Sequence, residues 1–458
     1  MTWSDRHGWS RSPGGLVTAL DAVVREQRLG WVGTAPPAPV HDVRRPRWEH
    51  GPLVAVDSDT ARSAVDAVCN EGLWPALHGF HDLVEWRPGA WDDYRQHNRA
   101  FAEAIVEHSD PGDVVWIHDY HLFLVPAMVR RLAGDRTIAV SIHTPIDADA
   151  IASLPVVGEL VEGLAAADLV GVQTERDATS LRQLFRSMDA TSAPSGQVAT
   201  PPVWVSPVSI DPVALTERAS SAAATVAGRR LAGRDADTTL IVSIDRLDYT
   251  KGVPERLLAL DTAFRRGWLD PATTQYVGVV QPTRTTVARY RRFSLDVERL
   301  AHELMVTWQR PDGSSPIDLR MESASPEQVA ALLSAADVCA VTPLRDGMNL
   351  VAKEFSTLAG DVAVLVLSVG AGAYDELRDW VIEVDGGDVD SVADGFRRAV
   401  ELPLDVRRRW AAARRQRVAI WSASSWSRDV LRRAASSPTG ETSSTPPHGV
   451  IGRPRAPA

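Results

Sequence analysis

The stretch "SIDRLDYTKGVPERLL", Ser243 to Leu258, sets two cations, Arg246 and Lys251, five residues apart in one short loop. The apolar run "TLIVSI" before it reads as a strand, and Pro254 falls where a helix begins, because its missing N–H costs nothing there. Arg246 and Lys251 therefore stand at the carboxyl end of a strand, beside a helix N-terminus. A diphosphate suits that place. Free backbone N–H groups and the positive helix end attract it, an arginine grips it with a planar fork, and a lysine adds a point charge. The plain alternative is a solvated loop in which Asp245, Asp248 and Glu255 pair with the two cations, and charge pattern alone leaves both readings open.

A second loop, "TPLRDGMNLVAKEF" from Thr342 to Phe355, also follows a strand. Asp346 or Asn349 can cap a helix there, Gly347 permits close backbone approach, and Glu354 lies about one helical turn past Asn349. A carboxylate so placed can accept hydrogen bonds from sugar hydroxyls; the plain alternative is an ordinary helix with Lys353 and Glu354 facing solvent. In "SPGGLVTAL", Gly14 and Gly15 precede a helix and let backbone amides approach an anion, as any tight glycine turn would. His143 in "SIHTP" and Asp119 in "WIHDYHL" fall at strand ends. His118 and His121 with Asp119 have the spacing of metal ligands only on a helix, and the run before them reads as strand, so no metal site is expected. Acidic triplets beginning at Asp57, Asp147 and Asp235 lie in turn-like segments and carry no metal expectation.

These loops need a scaffold of strands. "DVVWIHDY", "TIAVSIHT", "DLVGVQT", "TLIVSIDR", "QYVGVVQP", "DVCAVTPL" and "VAVLVLSVG" read as buried parallel strands. Helical patterns lie between them, at Leu16 to Arg28, Tyr94 to Glu107, Glu159 to Ala167, Glu175 to Phe185, Pro254 to Arg265 and Pro326 to Ala336. Such alternation implies an α/β fold with helices on both faces of parallel sheets. It weakens from Pro212 to Asp237, which is the best domain boundary. The expected organisation is an N-terminal domain over 1–215, a C-terminal domain over 216–435 and a disordered Ser/Thr/Pro/Gly-rich tail over 436–458. Ligands of two such sheets bind outside the strands' carboxyl ends, in a cleft between the domains.

Composition narrows the partners. A net charge of -10 on 458 residues argues against a nucleic-acid or anionic-membrane surface and for a small-molecule ligand. Cys69 and Cys339 are far apart and without a metal pattern, so they read as two buried thiols. No long apolar run occurs and the polar start "MTWSDRHGWSRSPGG" lacks a signal core, which gives a cytoplasmic expectation. Whether the chain forms a homo-oligomer is left open.

Taken together, "IHDYHLFLVPAMVRRL", "VSIDRLDYTKGVPERLLA" and "ADVCAVTPLRDGMNLVAKEF" resemble the retaining glycosyltransferases of the trehalose-6-phosphate synthase family, over about Gly14 to Leu431. The resemblance implies a GT-B fold, two Rossmann-like doubly wound domains facing a cleft, with "SSWSRDVLRRAA" as a final helix crossing back. It also implies transfer of glucose from UDP-glucose, or another nucleotide-glucose, to glucose 6-phosphate with retention, and neither metal nor redox cofactor. In that family attack occurs on the leaving-group face and a donor phosphate oxygen takes the acceptor proton, unlike hydrolases with two flanking carboxylates. By the same resemblance, Arg246 and Lys251 hold the donor diphosphate, Gly14 and Gly15 form the glycine loop near it, and Asp346 accepts from the donor glucose. Leu350, Val351, Ala352, Lys353 and Glu354 match the donor segment, with Glu354 on the ribose; His143 lies beside the transferred glucose, and Asp119 and Arg284 match acceptor contacts.

Departures from the family collect on the acceptor side. Only 13 residues precede Gly14, none reads as a convincing strand, and a first strand with an Arg-bearing loop is expected to be missing; nothing in the spacing supports Arg6 or Arg11 as a substitute. "WPALHGF" puts Gly79 where an acceptor-binding tyrosine belongs, "HTPID" is one residue short, and "QPTRTTV" is compressed around Arg284. Two other readings remain: a glucosyltransferase to another phosphorylated acceptor such as glycerol 3-phosphate, and a catalytically silent nucleotide-sugar-binding regulator. A Rossmann dehydrogenase is set aside because no GxGxxG follows a strand.

Overall fold

The computed structural model describes residues 2–4, 8–10, 20, 23, 29–34, 53–56, 64–191, 200–221 and 238–436. Arg6, Arg11, Gly14, Gly15 and the tail beyond Ser436 lie outside them, as does the expected helix from Leu16 to Arg28 apart from Leu20 and Val23. No described helix is long and apolar enough to cross a membrane.

Two short ladders come first. β1 (Thr2–Ser4) pairs antiparallel with β2 (Gly8–Ser10), and β3 (Trp31–Thr34) pairs parallel with β4 (Leu53–Val56). The β1–β2 ladder corrects the reading of a strandless start; with three residues a side it is too short to leave a periodic signal. It stands apart from the parallel sheets, and among the described residues no strand joins the β3–β4 pair to either larger sheet. Four parallel strands then pair in chain order: β5 (Val114–His118), β6 (Thr137–Ser141), β7 (Leu169–Val172) and β8 (Val203–Val205).

The C-terminal half holds β9 (Thr239–Arg246), β10 (Thr274–Gln281), β11 (Ile317–Arg320), β12 (Val338–Val341), β13 (Val364–Ser368) and β14 (Ile382–Val384). They form one parallel sheet in the order β11-β10-β9-β12-β13-β14. The chain starts at the centre, fills one side, then returns to fill the other. Strand order thus reverses between β9 and β12, and connections leaving those strands diverge over opposite faces, opening a crevice at their carboxyl ends. The two loops singled out by their chemistry are the two that leave β9 and β12.

Burial on both faces explains the unbroken apolar runs: all residues of β12 and β13 are buried. On one side Leu257 and Leu260 of the helix Val253–Arg265 share a core with Phe396 of the helix Val389–Glu401. On the other, Phe355 of the helix Leu350–Leu358 packs with Val418 of the helix Leu404–Ile420.

The halves are joined twice. The helix Pro212–Ala219, capped by Asp211 accepting from Val213 N and Ala214 N, spans the expected boundary at 215 and packs on the helices Pro326–Ala335 and Leu350–Leu358. The last helix, Ala423–Ala435, returns to the first sheet, where Trp426 lies fully buried with its ring centroid 5.0 Å from that of Trp116 on β5. Burying a side chain of that size stabilises the return by on the order of 3 kcal/mol.

Candidate functional site

The β9 loop is built by its own aspartate. Asp248 accepts from Thr250 N at 3.1 Å and starts a tight turn, Tyr249–Lys251, which ends at Gly252 in the left-handed region (φ 65°). A Cβ on Gly252 would sit 2.3 Å from the carbonyl oxygen of Thr342, so glycine lets this loop pack against the one leaving β12. Leu344 N completes the join, donating to Thr250 O at 2.9 Å. Lys251 is thereby buried, and its Nζ donates to Asp346 Oδ2, which also accepts from Asn349 Nδ2 at 3.1 Å. Burial pushes the Asp346 carboxyl up, but the Lys251 ammonium more than offsets it and holds the group below the usual carboxylate range.

Arg246 is different. It is exposed, and its side chain makes no hydrogen bond or ion pair among the described residues; its guanidinium carbon lies 5.3 Å from the centroid of Trp74. The three neighbouring carboxylates are committed elsewhere or unpaired. Asp245 pairs with Arg256 at 2.7 Å, Asp248 pairs with Arg284 at 2.5 Å, and Glu255 Oε2 is buried with no hydrogen-bond partner among the described residues. The solvated-loop alternative, in which these carboxylates form ion pairs with Arg246 and Lys251, is not the arrangement found.

In the β12 loop Asn349 takes φ 67°, and its side chain does not cap the helix Leu350–Leu358. The amides of Leu350 and Val351 have no acceptor among the described residues, so this helix opens with free donors and a positive end. Ala352 is buried. Lys353 corrects the picture of a solvent-facing lysine: it is buried, and Nζ lies 2.6 Å from Glu376 Oε1 and donates to Val208 O at 2.9 Å. That ammonium ties the helix to the segment between the halves. Glu354 is half-buried without a hydrogen-bond partner among the described residues, and burial raises its carboxyl above the usual range.

Gly347 brings the halves into contact. A Cβ there would lie 1.8 Å from His143 O, so only glycine lets the β12 loop touch the residue just past β6. Beside it Asp119 holds φ 68° at the end of β5, and its Oδ1 accepts from His143 N at 3.3 Å. Burial lifts the Asp119 carboxyl to about 6. His143 Nε2 shares a proton with His118 Nδ1 across 3.1 Å; burial drives both rings down, His118 to about 3, so both are neutral at ordinary pH.

Arg284, also at positive φ (50°), has Nη1 2.5 Å from both Asp248 Oδ2 and the Tyr290 hydroxyl, and Nη2 3.2 Å from the Tyr120 hydroxyl. The cluster therefore unites Arg246, Lys251, Asp346, Asn349, His143, Asp119 and Arg284, drawn from both halves.

Sequence reasoning missed the groups that close this cleft. Arg345 Nη1 donates to Asp147 Oδ2 at 2.8 Å and Nη2 to Ile146 O at 2.9 Å. Arg289 reaches Glu85 at 2.6 Å in the same sense, from the second half to the first. Arg345 adjoins Asp346 and was visible in the motif, but its partner lies 198 residues away and has no local signature. Gly79 sits at φ 76°, where a Cβ would be 2.7 Å from Asp147 Oδ2 and 2.8 Å from Arg345 Nη1, so the pair occupies the space of a side chain at 79. Among the described residues no group of three or more His, Cys, Asp and Glu is placed to hold a metal.

A sequence model of Glycosyltransferase family 20 matches residues 2–436. The trehalose-6-phosphate synthase of Mycolicibacterium smegmatis is 34% identical over 465 residues, covering 97% of this chain and 90% of the relative. That of Mycolicibacterium paratuberculosis is 33% identical, covering 94% and 91%. Among solved structures, a UDP-forming α,α-trehalose-phosphate synthase from Burkholderia xenovorans in complex with glucose-6-phosphate superposes with TM-score 0.84 at 26% identity, covering 93% of this chain and 98% of that one. An E. coli structure bound with UDP-2-fluoro glucose gives TM-score 0.85 at 25% identity, covering 93% and 97%.

Proposed function

Because the chain belongs to Glycosyltransferase family 20, we propose that it transfers glucose from UDP-glucose to glucose 6-phosphate with retention, forming α,α-trehalose 6-phosphate. The observation that carries this reading is the state of Arg246: a cation at the switch point whose side chain makes no ion pair or hydrogen bond among the described residues, beside Lys251 and an uncapped helix start. A guanidinium with unspent N–H donors and free amides hold the donor diphosphate and take up the charge that grows on it as the glycosidic bond breaks. Such preorganised charge does not need to reorganise during the reaction, and losing one cation costs about a hundredfold in rate. Asp346 and Glu354 serve as acceptors for donor hydroxyls, and Asp119, ionised above about pH 6, accepts from the incoming sugar. His143, neutral and fixed by His118, lies beside the transferred glucose. Relatives named for this reaction, one bound to glucose-6-phosphate and one to a UDP-glucose analogue, support the choice of both substrates.

Gly79 favours a second reading, a different phosphorylated acceptor, because the Asp147–Arg345 pair fills the space at that position. Product analysis decides. Purified protein with UDP-glucose and glucose 6-phosphate should release UDP and a phosphorylated non-reducing disaccharide. UDP release with glycerol 3-phosphate alone would establish the second reading, and no release with either would defeat both.

A further inference from the structure

Trp74 is buried on a short helix of the first half, Trp74–Leu77, yet its closest cationic neighbours come from the second half. The guanidinium carbon of Arg284 lies 3.8 Å from its ring centroid and that of Arg246 lies 5.3 Å from it. The indole Nε1 donates to Asp248 Oδ1 at 3.4 Å, and the same carboxylate pairs with Arg284. From its own half the ring is braced by His78 and Tyr120, with centroid separations of 4.1 and 5.8 Å.

No side-chain hydrogen bond or ion pair fixes Arg246 among the described residues; the Asp119, Asp248 and Asp346 carboxylates attract it at longer range without engaging its N–H donors. How a cation is held matters for what it can still bind. A carboxylate would consume guanidinium N–H donors and cancel the charge, whereas an aromatic face attracts the charge through its quadrupole and leaves the donors unspent. Lys251, held by Asp346, and Arg246, held by a ring, are thus two different kinds of prepared cation.

We propose that Trp74 is a positioning residue for the anion site: its ring holds Arg246 in place with its N–H donors free for a phosphate, and steadies Arg284 beside it. A residue of one half thereby sets the anion affinity of the other. The inference rests on the reading of Arg246 as a diphosphate ligand.

Calorimetric titration of the intact chain with UDP tests it. Trp74→Phe keeps a ring face and loses the indole N–H; Trp74→Leu keeps apolar volume and loses the ring. Trp74→Leu should raise the UDP Kd about three- to tenfold and Trp74→Phe markedly less. In an Arg246→Ala background Trp74→Leu should cost nothing further. If the Leu variant does not fold, Trp74→Met, unbranched and adaptable, takes its place in the cycle. Equal losses for Phe and Leu, or a Leu effect undiminished without Arg246, would overturn the role of Trp74. Failure of the unsubstituted protein to bind UDP would instead remove the diphosphate reading beneath it.

Discussion

At the scale of residues, the site keeps groups in states that cost stability. Asp119 combines a strained positive-φ backbone (φ 68°, ψ 174°) with a carboxyl that burial lifts to about 6. The unfolded chain holds that proton with a pKa of about 3.9, so the native state binds it more tightly. Stability from this group is complete below about pH 4 and is lost as pH rises through 6. Asp119→Asn, whose side chain tolerates the same backbone and still accepts a hydrogen bond, should raise the thermal midpoint at pH 7.5 and lose that advantage below pH 4. A midpoint difference that does not change with pH would refute the assignment. The residues themselves were largely legible: Arg246, Lys251, Asp346, Asp119 and His143 all come to one cleft. Their partners were not, because Asp245 and Asp248 choose Arg256 and Arg284 by spatial placement, which charge spacing along the chain does not encode.

At the scale of elements, long or continuously buried strands announced themselves and short, partly exposed ones did not. Seven β-branched runs became β5, β6, β7, β9, β10, β12 and β13; β7 and β12 have only four residues but are buried at every one, whereas β8, β11 and β14, equally short, are only partly buried and left no apolar run. The helix Val253–Arg265 shows how an element serves the site, since both ends carry glycines at positive φ for different reasons. Gly267, at φ 66°, has nothing within 4 Å of an added Cβ, so Gly267→Ala should cost about 1 kcal/mol, the backbone penalty alone. Gly252→Ala adds a collision with Thr342 O and should cost at least about 2 kcal/mol more, by urea denaturation. Equal costs would mean that the β9 and β12 loops are not locked together as described.

At the scale of the molecule, two parallel sheets face each other through the carboxyl ends of their strands, and contacts across the seam make one site of two halves. Gly347 against His143, Arg345 on Asp147, Arg289 on Glu85 and the returning Trp426 all cross it. The alternation of strands and helices made the two-sheet plan readable, and the strand-order reversal explains why chemistry collects where it does. The most direct measurement is a crystal structure of the protein with UDP. The diphosphate should lie within hydrogen-bond distance of Arg246 and Lys251 and against the amides that open the helix Leu350–Leu358. UDP seated elsewhere, with Arg246 still unliganded and Lys251 still bound only to Asp346, would contradict the diphosphate reading.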